Sequence, residues 1–228
     1  SLWRGCTQLR FDHLELASLA LDARSLSVCP QRGKPIVRAS AAGLAVAGGV
    51  SALDLSGRLG ATPVRLASGP VGFAWPGVLA ARGVDVALGP VESPSRFRIA
   101  NLDARVGSTV AGRFAGADVQ LAAVPLDLFD TAGTWRFENG VLVIADAAFR
   151  LEDREADRRF QPLVSEGAAL RLADNVITAD ALLREPQSAR EVVRTHIVHD
   201  LASGRGGADL MVDGLLFDET MQPDTLTR

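Results

Sequence analysis

TWRFENGVLVI, residues 134–144, contains Asn139-Gly140, two residues that tolerate the positive φ angles of a tight type I′ turn. A two-residue loop here places the apolar residues of the flanking segments opposite each other: Phe137 with Leu142, and Trp135 with Ile144. The charged Arg136 and Glu138 then fall on the other face. Because a shift of one residue would exchange the two faces, this sorting predicts both the hairpin and its register.

A second hairpin is predicted in ALRLADNVITA, residues 169–179, with Asp174-Asn175 as its loop. The loop again brings apolar residues together on one face: Leu172 with Ile177, and Leu170 with Ala179. Arg171 lies opposite Thr178 on the outer face. The two hairpins therefore have the same design, with one apolar and one polar face.

Short runs of alternating apolar and polar residues fill much of the remaining chain. They include LDLSGRL (53–59), GVDVALG (83–89), SRFRIA (95–100) and DVQL (118–121). Strict alternation between turn-forming residues is typical of half-buried antiparallel strands. The pattern predicts a mainly β fold, a meander of many antiparallel strands with little helix. No shift in composition marks a domain boundary, so residues 1–228 are interpreted as one unit.

The composition excludes several classes of protein. With 47% hydrophobic and 22% charged residues, the chain is expected to fold as a globular protein. A net charge of −3 gives no electrostatic basis for binding nucleic acid. No run of 18 apolar residues is present, so no membrane-spanning helix is predicted. Because the chain begins SLWRGC without an initiator Met or a signal peptide, we interpret it as a β-rich fragment of a longer protein.

Two segments allow more than one secondary structure. SAREVVRTHIVHDL, residues 188–201, fits a helix with Ser188 as its N-cap, but its β-branched residues favour a strand. EDREADRRF, residues 152–160, is predicted to be a solvated loop or a strand extension, in which a helical turn is also compatible with the sequence.

The HxxHD cluster at His196 and His199 is the strongest formal candidate for a metal or catalytic site. On a strand, however, residues three apart point to opposite faces, and the third histidine, His13, is remote. The GRGG that follows lacks the remaining residues of a phosphate-binding loop, and the chain contains no GxSxG motif. We therefore predict no metal, no cofactor and no enzymatic activity.

Cys6 and Cys29 are the only cysteines of the chain. They fit either two buried thiols or a disulfide that closes a short N-terminal loop, and the disulfide is favoured. A disulfide would require an oxidising compartment.

The C-terminal stretch HDLASGRGGADLMVDGLLFDETMQPDTLT, residues 199–227, resembles the signature region of the YdbH-like family, within the AsmA-like group of bacterial envelope proteins. The resembling elements are His199-Asp200-Leu201, Gly204, Gly206-Gly207, Ala208 to Val212, Phe217, Gln222-Pro223 and Leu226. The hairpin GTWRFENGVLVIADAAFRL resembles a repeated unit of that group, and the paired cysteines are similar to those of some members.

The resemblance implies a role in moving phospholipids between the inner and outer membranes of diderm bacteria. It implies an elongated, curved, open antiparallel sheet that forms an apolar groove for acyl chains. It also implies a location in the periplasm or cell envelope, as part of a parent protein anchored in the inner membrane. The residues expected to face the groove are Trp135, Phe137, Leu142, Ile144, Leu170, Leu172 and Ile177.

Three alternatives remain open on the sequence alone. The same apolar residues could form the core of a closed sandwich or barrel. The chain could be an envelope scaffold or interaction module without lipid cargo, which recruits partner proteins at its sheet edges. A barrel that binds a small molecule is the third.

Overall fold

The computed structural model describes residues 2–16, 18–31, 34–41, 43–122 and 124–212. This part of the chain forms sixteen antiparallel strands in one sheet, which curls into an open half-barrel. It contains no helix, and so none that could cross a bilayer. The prediction of a mainly β, many-stranded antiparallel sheet that is curved and open is confirmed. Of the resembling elements, Phe217, Gln222-Pro223 and Leu226 lie outside the described residues.

The strands follow one another closely along the chain. They are β1 (Thr7–Leu16), β2 (Leu19–Val28), β3 (Val37–Ser40), β4 (Gly43–Val50), β5 (Leu53–Leu59), β6 (Thr62–Ser68), β7 (Val71–Trp75), β8 (Gly77–Leu88), β9 (Ser95–Val106), β10 (Val110–Gln120), β11 (Leu126–Glu138), β12 (Val141–Asp153), β13 (Leu163–Ala173), β14 (Val176–Arg184), β15 (Glu191–Asp200) and β16 (Arg205–Val212).

From β8 to β16 the sheet is a simple meander in which each strand pairs with the next. Before β8 the order is β1-β2-β5-β6-β8, while β7 pairs with both β8 and β4, and β4 pairs with β3. The described strands at the two ends, β1 and β16, do not pair with each other. The sheet is therefore open, and the alternatives of a closed sandwich or barrel core and of a small-molecule barrel are wrong.

Both predicted hairpins have the predicted register. In β11 and β12, Trp135 pairs with Ile144 and Phe137 with Leu142. In β13 and β14, Leu172 pairs with Ile177. Asn139 and Asn175 both adopt positive φ angles, as their loops require.

The two ambiguous segments are resolved by their strand pairing. Residues 191–200 form β15, so the favoured strand is confirmed and the helix is wrong. Strand β12 continues to Asp153, and residues 154–160 form bends and irregular backbone, as a loop that follows a strand extension. Asp153 fixes this loop because its carboxylate accepts hydrogen bonds from the Arg159 guanidinium and from the backbone N–H groups of Glu155 and Arg159.

The disulfide is also formed. Cys6 and Cys29 are bonded, and the described part of the chain has no free cysteine. The backbone of Cys29 exchanges two hydrogen bonds with Gly49, close to the C-terminal end of β4. The disulfide thus connects the segment before β1 to the end of β2, and through the backbone of Cys29 to β4.

The alternation of apolar residues slips by one position in the middle of each strand from β8 to β13. At the slip, two consecutive residues point away from the apolar face: 82/83, 100/101, 115/116, 129/130, 145/146 and 166/167. Five of these six pairs contain a residue with positive φ: Gly83, Gly116, Asp130, Asp146 and Gly167. The pairs are neighbours across the sheet, and we call them the slip line. Bulge-like irregularities bend a strand and increase its twist, so an aligned series of them explains the curl.

Candidate functional site: the apolar face of the half-barrel

The seven residues expected to face a groove lie together on one face of β11 to β14. Cross-strand pairing arranges them in two parallel rows: Trp135, Ile144 and Leu170, and next to it Phe137, Leu142, Leu172 and Ile177. All seven side chains are half-buried. The structure thus brings together every residue of the predicted set.

The first of these rows crosses ten neighbouring strands, from β7 to β16. We call it the tryptophan row; its members are Phe73, Leu79, Ala104, Gly112, Trp135, Ile144, Leu170, Ala179, Ile197 and Ala208. Directly opposed residues in a sheet share a face. The apolar face is therefore continuous far beyond the two hairpins that predicted it.

A second long row lies on the same face, beyond the slip line. We call it the leucine row; it crosses eight strands and consists of Leu55, Leu66, Val86, Phe97, Val119, Leu128, Leu151 and Leu163. Seven spacings between neighbouring strands make this row about 34 Å long. The sequence showed the alternation in these strands, but it did not show that their apolar residues align into one row.

Burial identifies this face as the concave one. All described strands belong to one sheet, so no second layer covers either face. Even so, small residues on the apolar face near the slip line are buried, including Ala104, Ala117, Ala147 and Ala168. In a curled single sheet only the concave side crowds its side chains, whereas those on the convex side spread apart. The apolar rows therefore line the inside of the half-barrel.

Charged side chains are confined almost entirely to the outer face. In β8 to β13, Asp153 is the only charged residue at an inward position, and it lies at one end of its strand. Its carboxylate is fully buried, and the bound Arg159 guanidinium holds the pKa of Asp153 far below its usual range. The outer face carries ion pairs such as Arg82 with Asp103 and Arg24 with Asp54. The concave surface is thus apolar between its rims.

Three polar atoms interrupt this apolar surface. The hydroxyls of Thr131 and Ser165 and the indole Nε1 of Trp135 are buried, and none has a hydrogen-bond partner in the described structure. Thr131 is 8% exposed and Ser165 is 2% exposed. Sequence reasoning missed both hydroxyls. The sequence does not distinguish an inward Thr or Ser that has a hydrogen-bond partner from one that has none, because the partner depends on the positions of neighbouring strands.

The HxxHD cluster is divided between the two faces, as expected for a strand. His196 lies on the outer face, where its Nδ1 is 2.7 Å from Oδ1 of Asp180, and this carboxylate raises the pKa of His196. His199 lies on the inner face between Ile177 and Gly206. No group of three or more potential metal ligands occurs within the described residues.

Comparison with known protein families gives a match over the whole chain. The family model YdbH-like, described as intermembrane phospholipid transport protein YdbH, matches residues 1–228, which is the whole chain. No curated protein and no solved structure matches it.

Proposed function

The chain belongs to the YdbH-like family of intermembrane phospholipid transport proteins, and from this premise we propose that it is a segment of a periplasmic lipid bridge. In this proposal the concave face shields phospholipid acyl chains as they pass between the inner and outer membranes. The residues proposed to contact the chains first are Trp135, Phe137, Leu142, Ile144, Leu170, Leu172 and Ile177.

The observation that carries the proposal is the continuity of the apolar rows across the strands. A row about 34 Å long exceeds the roughly 15 Å depth of one membrane leaflet, taken as half of a hydrocarbon core of about 30 Å. Because every strand from β8 to β13 bends at the slip line, the axis of the half-barrel runs across the strands, parallel to the rows. An acyl chain can therefore lie along this axis and remain in apolar contact throughout. Removing each methylene from water contributes about 0.8 kcal/mol, which is a sufficient driving force without any covalent chemistry.

The open side of the half-barrel explains how a polar head group would be accommodated. Because the sheet curls only into an open half-barrel, the open side opposite its concave face stays accessible to water within the described part of the chain. Acyl chains can lie on the apolar rows while the head group remains solvated at this opening. The outer face, with its arginine and carboxylate side chains, is compatible with an aqueous compartment such as the periplasm. The disulfide fits an oxidising compartment.

The test compares two substitutions at adjacent positions on opposite faces. Leu172→Asp places a charge on the concave face, whereas Arg171→Asp places the same group on the outer face, where Arg171 is exposed. Purified proteins are extracted with organic solvent, and phospholipid per chain is measured by mass spectrometry. We expect Leu172→Asp to lose most of its lipid and to stay folded, because its site is open to water, and Arg171→Asp to retain lipid.

Two results would contradict the proposal. One is a folded wild-type protein that carries no phospholipid, and the other is equal lipid content in the two variants. Circular dichroism of both variants provides the control for folding.

A second function is favoured by the exposed edge strand β16. Its Leu210 and Met211 are each 63% exposed, and among the described residues β16 pairs with β15 alone. Unpaired backbone groups next to exposed apolar side chains suit the addition of a partner strand. In this alternative the chain is an envelope scaffold that recruits other proteins at its edge, and it carries no lipid.

A further inference from the structure

The unpaired hydroxyls of Thr131 and Ser165 lie in the middle of the apolar face, not at its rims. Thr131 pairs with Ala117 in β10, and Ser165 pairs with Phe149 in β12 and with Leu183 in β14. Along β11, Thr131 is situated between Leu128 of the leucine row and Trp135 of the tryptophan row. Both hydroxyls are therefore surrounded by apolar residues on the concave side, and we call them the hydroxyl pair.

Burial of each member of the hydroxyl pair costs free energy as long as the hydroxyl has no hydrogen-bond partner. A buried hydroxyl without a hydrogen-bond partner loses the hydrogen bonds that it made with water in the unfolded chain. Alanine or valine would fit the same positions, as Ala117, Ala147 and Ala168 do nearby. A partner that arrives with the cargo would compensate for this loss.

The chemistry of that partner follows from the donors and from the charges around them. Hydroxyls can donate to an oxygen acceptor, and the indole Nε1 of Trp135, also unpaired on this face, can only donate. No arginine or lysine occupies an inward position in β8 to β13. A phosphate or a free carboxylate would thus bring an uncompensated charge into apolar surroundings. A neutral acceptor, such as the carbonyl oxygen of an ester, fits without that penalty.

We propose that the hydroxyl pair donates hydrogen bonds to the ester carbonyls of acyl-glycerol lipids held on the concave face. This inference rests on the proposed function and adds a chemical preference to it: ester-linked lipids are retained better than lipids whose chains are linked by ethers. Thr131 and Ser165 are two strands apart, about 10 Å along the half-barrel axis. At that separation each hydroxyl makes its own hydrogen bond, and the two do not clamp a single oxygen.

The experiment uses two lipids that differ only in the carbonyl. Dipalmitoyl phosphatidylcholine and its dihexadecyl ether analogue compete for the delipidated protein, and the ratio retained after gel filtration is measured by mass spectrometry. The wild type is expected to prefer the diester about three- to tenfold, the effect of one or two net hydrogen bonds. In Thr131→Val and Ser165→Ala the ratio falls, and in the double variant it approaches one.

A matched control is Thr178→Val, which removes a hydroxyl from the outer face, opposite Arg171. This variant is expected to keep the wild-type ratio. Thermal unfolding without lipid supplies an independent readout. Thr131→Val and Ser165→Ala are expected to be at least as stable as the wild type, because each removes an unpaired buried hydroxyl.

The outcomes separate this inference from the function on which it rests. If both lipids bind the wild type equally well, the ester preference is wrong and the proposed transport function stands. If neither lipid binds, both are wrong. If the substitutions lower the melting temperature and leave the diester preference unchanged, the hydroxyls serve the protein's own structure and the inference is overturned.

Discussion

The N-terminal and central parts of the sheet bend along the same slip line in two different ways. In β8 to β13 each long strand passes through the line by means of two consecutive outward residues. In the N-terminal part the strands are interrupted there: Ser51-Ala52 separates β4 from β5, and Gly69-Pro70 separates β6 from β7. The pairing of Val50 with Val71 continues the register of Leu53 with Ser68. These four short strands are therefore two long strands, each broken at the bend.

The difference shows that curvature can be obtained with or without loss of strand continuity. A slip with a left-handed residue preserves the hydrogen bonds on both sides of the bend. At the break at Gly69-Pro70 a backbone hydrogen bond of the sheet is missing, because Pro70 has no N–H group. The N–H group of Gly69 still donates to the carbonyl oxygen of Arg82 in the neighbouring strand. We therefore expect the stability of the N-terminal part to depend on the disulfide, and the stability of the central part to depend on the backbone conformation at the slip line.

The largest expected effect comes from removing the disulfide. Cys6 and Cys29 are 23 residues apart, and opening a loop of this size costs about 3 kcal/mol in the chain-entropy description. The Cys6→Ser/Cys29→Ser variant should show faster amide hydrogen exchange in β1 to β7. Protection in β11 to β13 should change little. Uniform loss of protection over the whole sheet would contradict the distinction between the two parts.

A smaller effect is expected at the slip line itself. Gly167 has a φ of +79°, and an added Cβ would meet no atom within 4 Å, so Gly167→Ala tests backbone conformation without a steric clash. A non-glycine residue in this conformation costs about 1–2 kcal/mol. Gly167→Ala should therefore lower the free energy of unfolding, as measured by chemical denaturation.

Gly72→Ala is the matched control for this prediction. Gly72 lies in β7, two residues after the break at Gly69-Pro70; an added Cβ there would also meet no atom within 4 Å, but Gly72 does not have a positive φ. This substitution should be neutral or slightly stabilising. Equal effects at the two positions would show that the slip line does not require a left-handed residue at 167.

The smallest effect is expected in β14 and β15, which the slip line does not cross and which pair regularly from Val176 to Leu183. Asp180 raises the pKa of the exposed His196 above its usual 6.5, and Asp209 adds to this effect. The stability from this pair is present below pH 6.5 and is lost as the pH rises through the raised pKa. Thermal unfolding across this range should show a shallow decline, which His196→Gln and Asp180→Asn should both flatten. A decline that persists in both variants would assign it to other groups.

Local signals in the sequence were sufficient for the hairpins. Asn139-Gly140 and Asp174-Asn175 fixed two turns, and a two-residue turn sets the register of every pair behind it. The seven predicted residues therefore share a face, as expected. The strand at residues 191–200 was predictable for a related reason, since its β-branched residues favour extended backbone.

The slip line left a trace in the sequence that was not interpreted. In β9, for example, the apolar residues Phe97 and Ile99 are followed by Leu102 and Ala104, so the alternation changes phase between them. Taken one strand at a time, such a change resembles the end of a strand. Only the coordinates show that the changes lie side by side and bend the sheet.

By itself, the sequence determined the β class, several of the strands, the two hairpins, the apolar face that they share, and the family resemblance. The tertiary structure alone decided which residues of distant strands align, that the sheet stays open, and that Thr131 and Ser165 are buried without partners. The physical reason is the range of the interactions. Alternation and turn conformation are set by residues close in sequence, whereas curvature and burial depend on the combined registers of many strands.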